Sequence, residues 1–454
     1  MTRGRFWPRD EALLGSVVDW SINRIAEGQD PLTAARSADV LLEEVGQTVT
    51  SAGIGGAEAL RLFTEVLVPV TRAQDEPMNL AYVAAAPTEA ALVFDLAVSA
   101  AGIFAGTWES GAGAIAAENQ ALAWITSLMD WPEAAGGCFV AGGTMGNLSA
   151  LVAARSGAVT PGTEWAGRWM FAASPGAHSS IVAAARVMDC DILEVAGDER
   201  GRMTGEALSA AVADLSPEDQ VRLFAVVATA GTTNAGVVDD LAGVAAVCGE
   251  RDLWFHVDGA YGGAALAAAS ARSLFVGIEH ADSFVVDPHK WLFAPYDCCA
   301  LVYREPINAA VAHSQFATYL DQIDRSEWNP ADYAIHLSRR ARGLPFWFSL
   351  ATYGTDRYSD AVETVLAVAR GVADEVRRRP FLNLVMEPDL SVLLFERRGW
   401  ELDDYEAWSE RNAQAGIVLC VPTRWEGRPV LRFCFVNPDT EVESVAAVLD
   451  SLGD

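Results

Sequence analysis

At 454 residues the chain is too long for one ordinary hydrophobic core, so we expect two or three packed units. Its 51% hydrophobic and 20% charged residues are typical of a globular protein. Its formal net charge of −29 argues against nucleic acid or an anionic membrane surface as a partner. No uninterrupted stretch of apolar residues approaches the length of about 20 that a transmembrane helix needs.

The N-terminus and the cysteines indicate the compartment. The first ten residues lack the apolar core of a signal peptide. The seven cysteines are scattered and odd in number, and Cys298 and Cys299 are adjacent in a predicted strand, so we expect reduced core residues instead of a disulfide framework. Neither the cysteines nor the six histidines have the spacing of metal ligands. The sequence therefore predicts a cytoplasmic protein without a metal site.

Residues from about 10 to 70 are predicted to form helices. Their apolar residues recur at helical spacing, at Leu13, Leu14, Val17 and Val18 and again at Leu60, Leu62, Phe63, Val66 and Leu67. This segment is too short and too one-sided to enclose a core of its own, so it should pack on another surface.

From about residue 115, short apolar strands alternate with helical segments. The predicted strands are Phe139-Val140, Trp169–Phe171, Ile192–Val195, Leu223–Ala228, Trp254–Val257 and Phe284–Val286. Continuous apolar strands separated by helices indicate an α/β fold with a mainly parallel sheet covered on both faces. Ligands of such sheets bind at the carboxyl ends of the strands.

The first polar segment at such an end is Gly142–Asn147, which opens an apolar-faced helix. Glycines and the hydroxyl of Thr144 at a helix N-terminus can form an anion site from free N–H groups and the helix dipole. Alone, this glycine turn is a weak signal.

Two further strands end in ionisable residues. His178 follows Trp169–Phe171, and it either stacks on a bound ring and exchanges protons or is structural, as a lone histidine of this kind usually is. Asp258 ends Trp254–Val257 and precedes a glycine-rich turn that lets a flat ligand approach the backbone. Asp258 is equally compatible with a helix N-cap or a turn.

The most informative segment is Asp287–Trp291, which follows the apolar run Phe284–Val286 and precedes a second apolar strand, Cys298–Val302. A lysine at the end of a core strand is poorly solvated, and desolvation lowers a lysine's pKa and keeps the amine nucleophilic for Schiff-base formation. For a lone lysine, the alternative is a side chain that extends from the strand end to water.

The last third of the chain has a different pattern. The pattern weakens between Tyr303 and Arg339, where we predict a mobile loop through Gln322–Pro330. A helical pattern returns from Phe346 to Arg378. The C-terminal apolar segments, including Val418–Cys420, then indicate an α+β unit with antiparallel strands and a hairpin turn at Glu426-Gly427.

Taken together, these segments resemble the pyridoxal-phosphate-dependent group II amino acid decarboxylases, the family of aromatic-L-amino-acid and glutamate decarboxylases. The resemblance covers nearly the whole chain. It rests on Gly142-Gly143-Thr144, Ala177-His178-Ser179-Ser180, Ala230-Gly231-Thr232-Thr233, His256-Val257-Asp258-Gly259-Ala260-Tyr261, Asp287-Pro288-His289-Lys290-Trp291, Leu337-Ser338-Arg339-Arg340-Ala341-Arg342 and Val430-Leu431-Arg432-Phe433. In combination, the His-Lys-Trp and His-Val-Asp segments are highly specific.

The resemblance implies a fold-type I enzyme with three parts: an N-terminal helical arm over 1–86, a large cofactor-binding domain over 87–348 and a small α+β domain over 349–454. It also implies a homodimer with composite active sites. The cofactor is pyridoxal 5′-phosphate, and an amino acid is decarboxylated to an amine through a Schiff base on Lys290 and a quinonoid carbanion. The cofactor-binding residues implied are Gly143, Thr144, His178, Thr232, Asp258, Ala260, His289 and Lys290.

The implied roles are specific. Asp258 pairs with the pyridinium nitrogen, Ala260 lies under the ring and His178 stacks above it. Thr232 hydrogen-bonds near the cofactor, and Gly143 and Thr144 bind its phosphate. His289 is a second candidate for phosphate or proton contact.

The chain departs from the family at two positions. Aromatic enzymes have a tyrosine in the mobile loop that donates the proton to Cα, whereas the alignment here places Pro330 near it. Tyr319 and Tyr333 are the remaining candidates for this catalytic role, with packing aromatics as the alternative. Without such a donor, reaction with dioxygen would give an aldehyde by decarboxylation-dependent oxidative deamination. The second departure is Asp287, where aromatic enzymes often carry an amide. Because a carboxylate there would repel a phosphate, we expect Asp287 to contact the cofactor only indirectly.

Tyr82 and Pro87 lie in the segment that lines the substrate pocket in relatives. Here the aromatic pattern is thinned to Val83–Ala86, and no arginines are evident for a side-chain carboxylate. An aromatic or apolar L-amino acid is therefore favoured over an acidic one. A non-catalytic scaffold that kept the fold is the remaining alternative.

Overall fold

A computed structural model describes residues 10–28, 36–158, 167–315 and 326–453. Its centre is a seven-stranded sheet in the order β1-β7-β6-β5-β4-β2-β3. The strands are β1 (Gly136–Val140), β2 (Met170–Ala173), β3 (Asp191–Glu194), β4 (Leu223–Thr229), β5 (Trp254–Asp258), β6 (Ser283–Val286) and β7 (Cys299–Tyr303). Strand β7 runs antiparallel to the other six strands, so the prediction of a mainly parallel α/β sheet is confirmed.

The central strands of this sheet are apolar because helices cover both of its faces. Every residue of β4 and of β6 is buried. In the first half of the chain the helices are α1 (Glu11–Glu27), α2 (Ala38–Val45), α3 (Gly56–Leu62), α4 (Glu89–Ala101), α5 (Trp108–Ser127), α6 (Gly143–Ala158), α7 (Ser179–Met188) and α8 (Gly205–Ala213). They continue with α9 (Pro217–Arg222), α10 (Leu241–Arg251), α11 (Pro288–Trp291), α12 (Pro306–His313), α13 (Leu344–Tyr353), α14 (Thr355–Arg378), α15 (Leu402–Gln414) and α16 (Val442–Asp450).

The predicted N-terminal helices are present, and they bury little of their own surface. Neither α1 nor α2 contains a buried residue. Helix α1 is held to the rest of the chain by Trp20, whose ring packs edge-on to Phe63 at 5.1 Å, and by an ion pair from Arg24 to Asp75. Apolar side chains of this region therefore remain exposed in the single chain.

A buried ion pair joins α5 to the segment before α13. Arg339 donates to both carboxylate oxygens of Glu118, at 2.7 and 2.8 Å, and both side chains are at most 2% exposed. Glu118 also accepts from the backbone N–H of Gly343. Glu118 therefore fixes the backbone between Arg339 and Gly343 against α5.

The C-terminal part forms a four-stranded antiparallel sheet in the order β10-β11-β9-β8. Its strands are β8 (Leu382–Leu384), β9 (Val392–Arg397), β10 (Thr423–Trp425) and β11 (Arg428–Cys434). The predicted hairpin turn at Glu426-Gly427 is confirmed, since both residues have the positive φ that a tight two-residue turn between β10 and β11 requires.

The prediction of a strand at Val418–Cys420 was wrong. Leu419 makes only an isolated parallel bridge to Asn79, because its backbone groups bond to Met78 and Leu80 and not to the C-terminal sheet. The domain boundaries at 86/87 and 348/349 stay a prediction. Within the described ranges, every helix is too short or too polar to cross a membrane.

Candidate functional site

Lys290 lies just beyond β6, on the single-turn helix α11. Its Nζ is 2.8 Å from Oδ2 of Asp287, a carboxylate that is 2% exposed. Burial lowers the pKa of Lys290, but the charge of Asp287 and the hydrogen bond to it raise the pKa by more, so the net direction is upward. The expectation of a lowered lysine pKa was therefore wrong, because the side chain of Asp287 faces the amine.

Lys290 is also the only lysine in the sequence, beside 31 arginines. Its side chain is 24% exposed. Any covalent chemistry of an ε-amine in this chain must therefore occur at the end of β6.

His289 is held next to this lysine by backbone groups. Its Nδ1 lies 2.7 Å from the carbonyl oxygen of Cys298 and 3.1 Å from the N–H of the same residue. Burial lowers the pKa of His289 despite the opposing charge of Asp287, whose Oδ2 is 3.7 Å from Nε2. The ring of Tyr296 covers His289 at 4.6 Å.

Asp258 ends β5 and is buried. Its Oδ1 accepts a hydrogen bond from the backbone N–H of Ala260 at 3.0 Å, and its Oδ2 accepts one from Asn147 at 2.8 Å. Both oxygens thus have donors that fix the plane of the carboxylate. Asn147 was not recognised as a functional candidate, although it lies on the same face of α6 as Gly143, four residues earlier.

Asn147 is the centre of a buried hydrogen-bond network. Its Nδ2 donates to Asp258 and to the hydroxyl of Ser180, so its Oδ1 is the acceptor for Nε2 of His256 at 2.9 Å. Nδ1 of His256 then accepts from the hydroxyl of Ser283, which in turn accepts from the indole N–H of Trp254. Burial lowers the pKa of His256 to about 4, which keeps the ring neutral in this network.

His178 is tied to the same network through the start of α7. It is the N-cap residue, and its Nδ1 accepts from the backbone N–H of Ser180 at 3.2 Å. The Ser180 hydroxyl lies 2.9 Å from the same nitrogen. Because both groups surround Nδ1, the remaining ring proton lies on Nε2. A chain of contacts therefore connects His178, Ser180, Asn147 and Asp258.

The start of α6 leaves room for a ligand only because residue 143 is glycine. A Cβ there would lie 2.9 Å from the Cβ of Ala260 and 3.3 Å from Oδ2 of Asp287. Thr144 follows as an exposed residue at the same helix end. Gly143, Ala260 and Asp287 therefore meet where free helix N–H groups can hold an anion.

A cavity of about 680 Å³ brings Tyr82, His178 and Thr232 together. The Thr232 Oγ1 accepts from the N–H of Val237 and keeps its own proton for a further acceptor. Arg432, another residue not assigned a role from sequence, donates to the carbonyl oxygens of Tyr82 and of Thr233 at 2.7 Å each. This arginine joins the two segments that line the cavity.

The other sequence candidates lie elsewhere. Pro87 lines two separate cavities, one of which it shares with Tyr296. Tyr333 is buried, and its ring stacks on Trp328 at 4.4 Å. Tyr319 lies outside the described residues.

Four of the candidate side chains thus converge from neighbouring strands. His178, Thr232, Asp258 and Lys290 follow β2, β4, β5 and β6, which are adjacent in the sheet. A lysine amine, two carboxylates, a histidine and a helix N-terminus at one edge can bind a flat anionic aldehyde and hold protons around it.

Comparison with known proteins agrees with this arrangement. Residues 59–398 match the model of the pyridoxal-dependent decarboxylase conserved domain. The chain is 28% identical over 432 residues to the aromatic-L-amino-acid decarboxylase of Bacillus atrophaeus, covering 92% of this chain and 89% of the relative. It is 30% identical over 413 residues to the L-2,4-diaminobutyrate decarboxylase of Rhizobium meliloti (strain 1021), covering 88% and 82%. The solved structure of Oryza sativa TDC with PLP and tryptamine has the same fold, with a TM-score of 0.89, 24% identity and coverage of 99% and 98%.

Proposed function

Because this chain belongs to the pyridoxal-dependent decarboxylase family, we propose that it converts an aromatic or apolar L-amino acid to the amine and CO₂ at the carboxyl edge of its seven-stranded sheet. The observation that carries this proposal is the position of its single lysine, next to the buried carboxylates of Asp258 and Asp287 at adjacent strand ends. Pyridoxal phosphate is the cofactor of the family.

The residues present fit this cofactor. Gly143 opens a cradle that any Cβ would fill, and α6 offers N–H groups to a phosphate. Asp258 is anchored by Ala260 and Asn147, so it can hold a proton on the pyridine nitrogen. When bound, the pyridine ring withdraws electrons from Cα of the substrate and weakens the bond to its carboxylate.

We assign roles to the remaining residues from their positions. Lys290 is the attachment point, and it must lose the proton that Asp287 stabilises before its amine can act as a nucleophile. His178 would cover the ring from the side of α7, with its Nε2 proton free to donate, and Ala260 would lie beneath it. Because Lys290 must lose its proton first, attachment of the cofactor should become faster as the pH rises. Thr144, Thr232 and His289 complete the proposed cofactor contacts.

The proposed preference for an aromatic or apolar substrate is supported by the cavity at Tyr82. Trp425 lines the same cavity. The two arginines that line this cavity already bind protein acceptors, since Arg200 donates to Asp389 and Arg432 donates to backbone carbonyls. A side-chain carboxylate would have to displace these contacts. The relatives named above act on aromatic amino acids and on 2,4-diaminobutyrate, so both classes belong in the test.

Oxidative deamination to an aldehyde is the second candidate. It is favoured by the burial of Tyr333 against Trp328, which directs this tyrosine into a core cluster. If Tyr333 nevertheless donates the proton to Cα, Tyr333→Phe should shift the product from amine to aldehyde, with consumption of dioxygen. An unchanged product ratio would remove Tyr333 from the catalytic residues.

We propose an obligate homodimer, in the cytoplasm, whose partner covers the N-terminal helices. Support comes from exposed apolar side chains at Leu14, Val18, Ile22 and Phe63. An obligate interface should exceed about 2,000 Å². Mixing Lys290→Ala protomers with protomers altered only in 319–333 should restore part of the activity if the loop acts across the interface. A fully active monomer in sedimentation would contradict the dimer.

The decisive experiment is a screen of L-amino acids for CO₂ release, with products identified by mass and with peroxide and ammonia measured in parallel. Amine without peroxide is expected from an aromatic or apolar substrate. Lys290→Ala, a chain without any lysine, is the matched control for covalent attachment. Release of CO₂ from none of the amino acids by cofactor-loaded protein would overturn the proposed function.

A further inference from the structure

One buried oxygen near the proposed cofactor lacks an N–H or O–H donor. Asp287 is 2% exposed, and its Oδ2 is bound to the amine of Lys290, whereas Oδ1 has no N–H or O–H partner among the described residues. The Cys299 thiol, a weak donor, also contacts this carboxylate. A buried polar atom without a strong hydrogen bond is destabilising, and more so when the group is charged. Such an atom indicates that something absent from the chain itself completes its contacts.

The position of this oxygen identifies the neighbouring group. A Cβ built on Gly143 would lie 3.3 and 3.6 Å from the two carboxylate oxygens of Asp287. Gly143 is the first residue of the 16-residue helix α6, and the N-terminal N–H groups of a helix can bind an anion. A carboxylate and an anion site therefore share one small volume, and two negative charges there would repel each other.

We propose that, in place of the indirect contact expected from the sequence, Asp287 and the phosphate of pyridoxal phosphate share one proton, so that cofactor binding takes up a proton from solvent. The inference rests on the proposed function, which places the phosphate at Gly143. The proton bridges Oδ1 and a phosphate oxygen, and no other bond forms or breaks. A phosphate monoester loses its second proton at a pKa of about 6, so above neutral pH the proton must come from solvent.

The other titratable groups around Asp287 do not offer an equal site for this proton. Lys290 is already charged, since the net effect of its surroundings raises its pKa. Burial raises the pKa of the Cys299 thiol and of Tyr296, so both stay neutral. Asp258 contributes to the field at Lys290 but is bound by its own donors.

His289 is the one competing acceptor in this set. It is neutral, because burial lowers its pKa, and its Nε2 is 3.7 Å from Asp287. Its Nδ1 is already enclosed by the backbone of Cys298. The proton can therefore bind this ring only at Nε2, and the substitution His289→Gln would remove that nitrogen.

The experiment uses the full-length, cofactor-free protein and pyridoxine 5′-phosphate, which lacks the aldehyde and leaves Lys290 unmodified. Calorimetric titrations at about pH 7.5 in two buffers of different ionisation enthalpy give the number of protons taken up. We expect about one proton for the wild type and about none for the isosteric variant Asp287→Asn. By linkage, wild-type affinity should fall about tenfold per pH unit above neutrality, and that of Asp287→Asn should stay nearly constant.

Two results would overturn the inference. One is binding without proton uptake by the wild type, a measurement that depends on no variant. The other is uptake that persists in Asp287→Asn, and its loss in His289→Gln would then place the proton on the His289 ring. The proposed function is tested separately by reducing the cofactor-loaded enzyme with borohydride and locating the label by mass. A label on Lys290 without proton uptake would refute the shared proton alone, and no label at all would refute the proposed function.

Discussion

Replacing Asn147 by leucine should destabilise the protein and loosen its hold on the cofactor. The side chain is 1% exposed and makes three hydrogen bonds, to Asp258, Ser180 and His256. Leucine has a similar size and shape, so packing changes little and the loss is that of the polar contacts.

The magnitude follows from those contacts. The bond to the Asp258 carboxylate contributes about 1.5–3 kcal/mol and the bond to Ser180 about 1 kcal/mol. The His256 N–H would lose its acceptor, which costs about 1–3 kcal/mol more in a buried site. We therefore expect Asn147→Leu to lower the free energy of unfolding by about 3.5–7 kcal/mol, a large share of the 5–15 kcal/mol typical of a folded protein.

The assay is equilibrium unfolding in urea of the cofactor-free protein at one fixed concentration, followed by tryptophan fluorescence. The matched control is Ser149→Ala on the same helix, whose hydroxyl accepts only a long bond of 3.4 Å from Ile335 and should change stability by less than about 1 kcal/mol. An Asn147→Leu variant within about 1 kcal/mol of the wild type would refute the reasoning. Pyridoxal phosphate retained as tightly as in the wild type would show that Asn147 does not position Asp258.

The remaining predictions test separate parts of the site and fold. Lys290→Ala should abolish CO₂ release and leave the circular dichroism spectrum unchanged; undiminished turnover would rule out Lys290 as the attachment point. Asp258→Ala should weaken cofactor retention and slow turnover by orders of magnitude, more than Asp258→Glu does, and normal rates would make Asp258 a structural cap. His256 has a folded-state pKa of about 4 against 6.5 for the free side chain, so the unfolded chain binds the proton first and stability should fall as the pH drops from 6.5 to 4. The loss through His256 amounts to about 3 kcal/mol, and urea unfolding of His256→Gln should show a flatter pH profile than the wild type. Glu118→Gln should cost about 3 kcal/mol because it leaves Arg339 charged and buried, whereas Glu387→Gln in the exposed pair with Arg377 should change stability by less than about 0.5 kcal/mol in the same assay.

The sequence was most informative where local pattern decides structure. Apolar runs separated by helical segments predicted the sheet, since a strand buried on both faces must be apolar throughout. The glycine at position 427 predicted the hairpin, because a two-residue turn needs positive φ. The strand ends then placed His178, Asp258 and Lys290 at one edge of the sheet.

Contacts between distant parts of the chain could not be predicted in this way. Asn147 and Asp258 are 111 residues apart, and only the packing of α6 on β5 brings them together. The raised pKa of Lys290 likewise depends on the rotamer of Asp287, which spacing alone does not specify. Val418–Cys420 has the composition of a strand, but the backbone of Leu419 hydrogen-bonds to Met78 and Leu80 and not to the C-terminal sheet.

The single lysine described above allows the proposed attachment site to be labelled selectively. Apart from an α-amino group, an amine-selective reagent such as an activated ester would have one target, and that target is 24% exposed at the proposed attachment site. The extent of side-chain labelling would therefore count accessible sites directly in the purified protein, and occupancy by a ligand would appear as protection. Immobilisation through side-chain amines, which for most enzymes gives random orientation, would here proceed through the proposed attachment site.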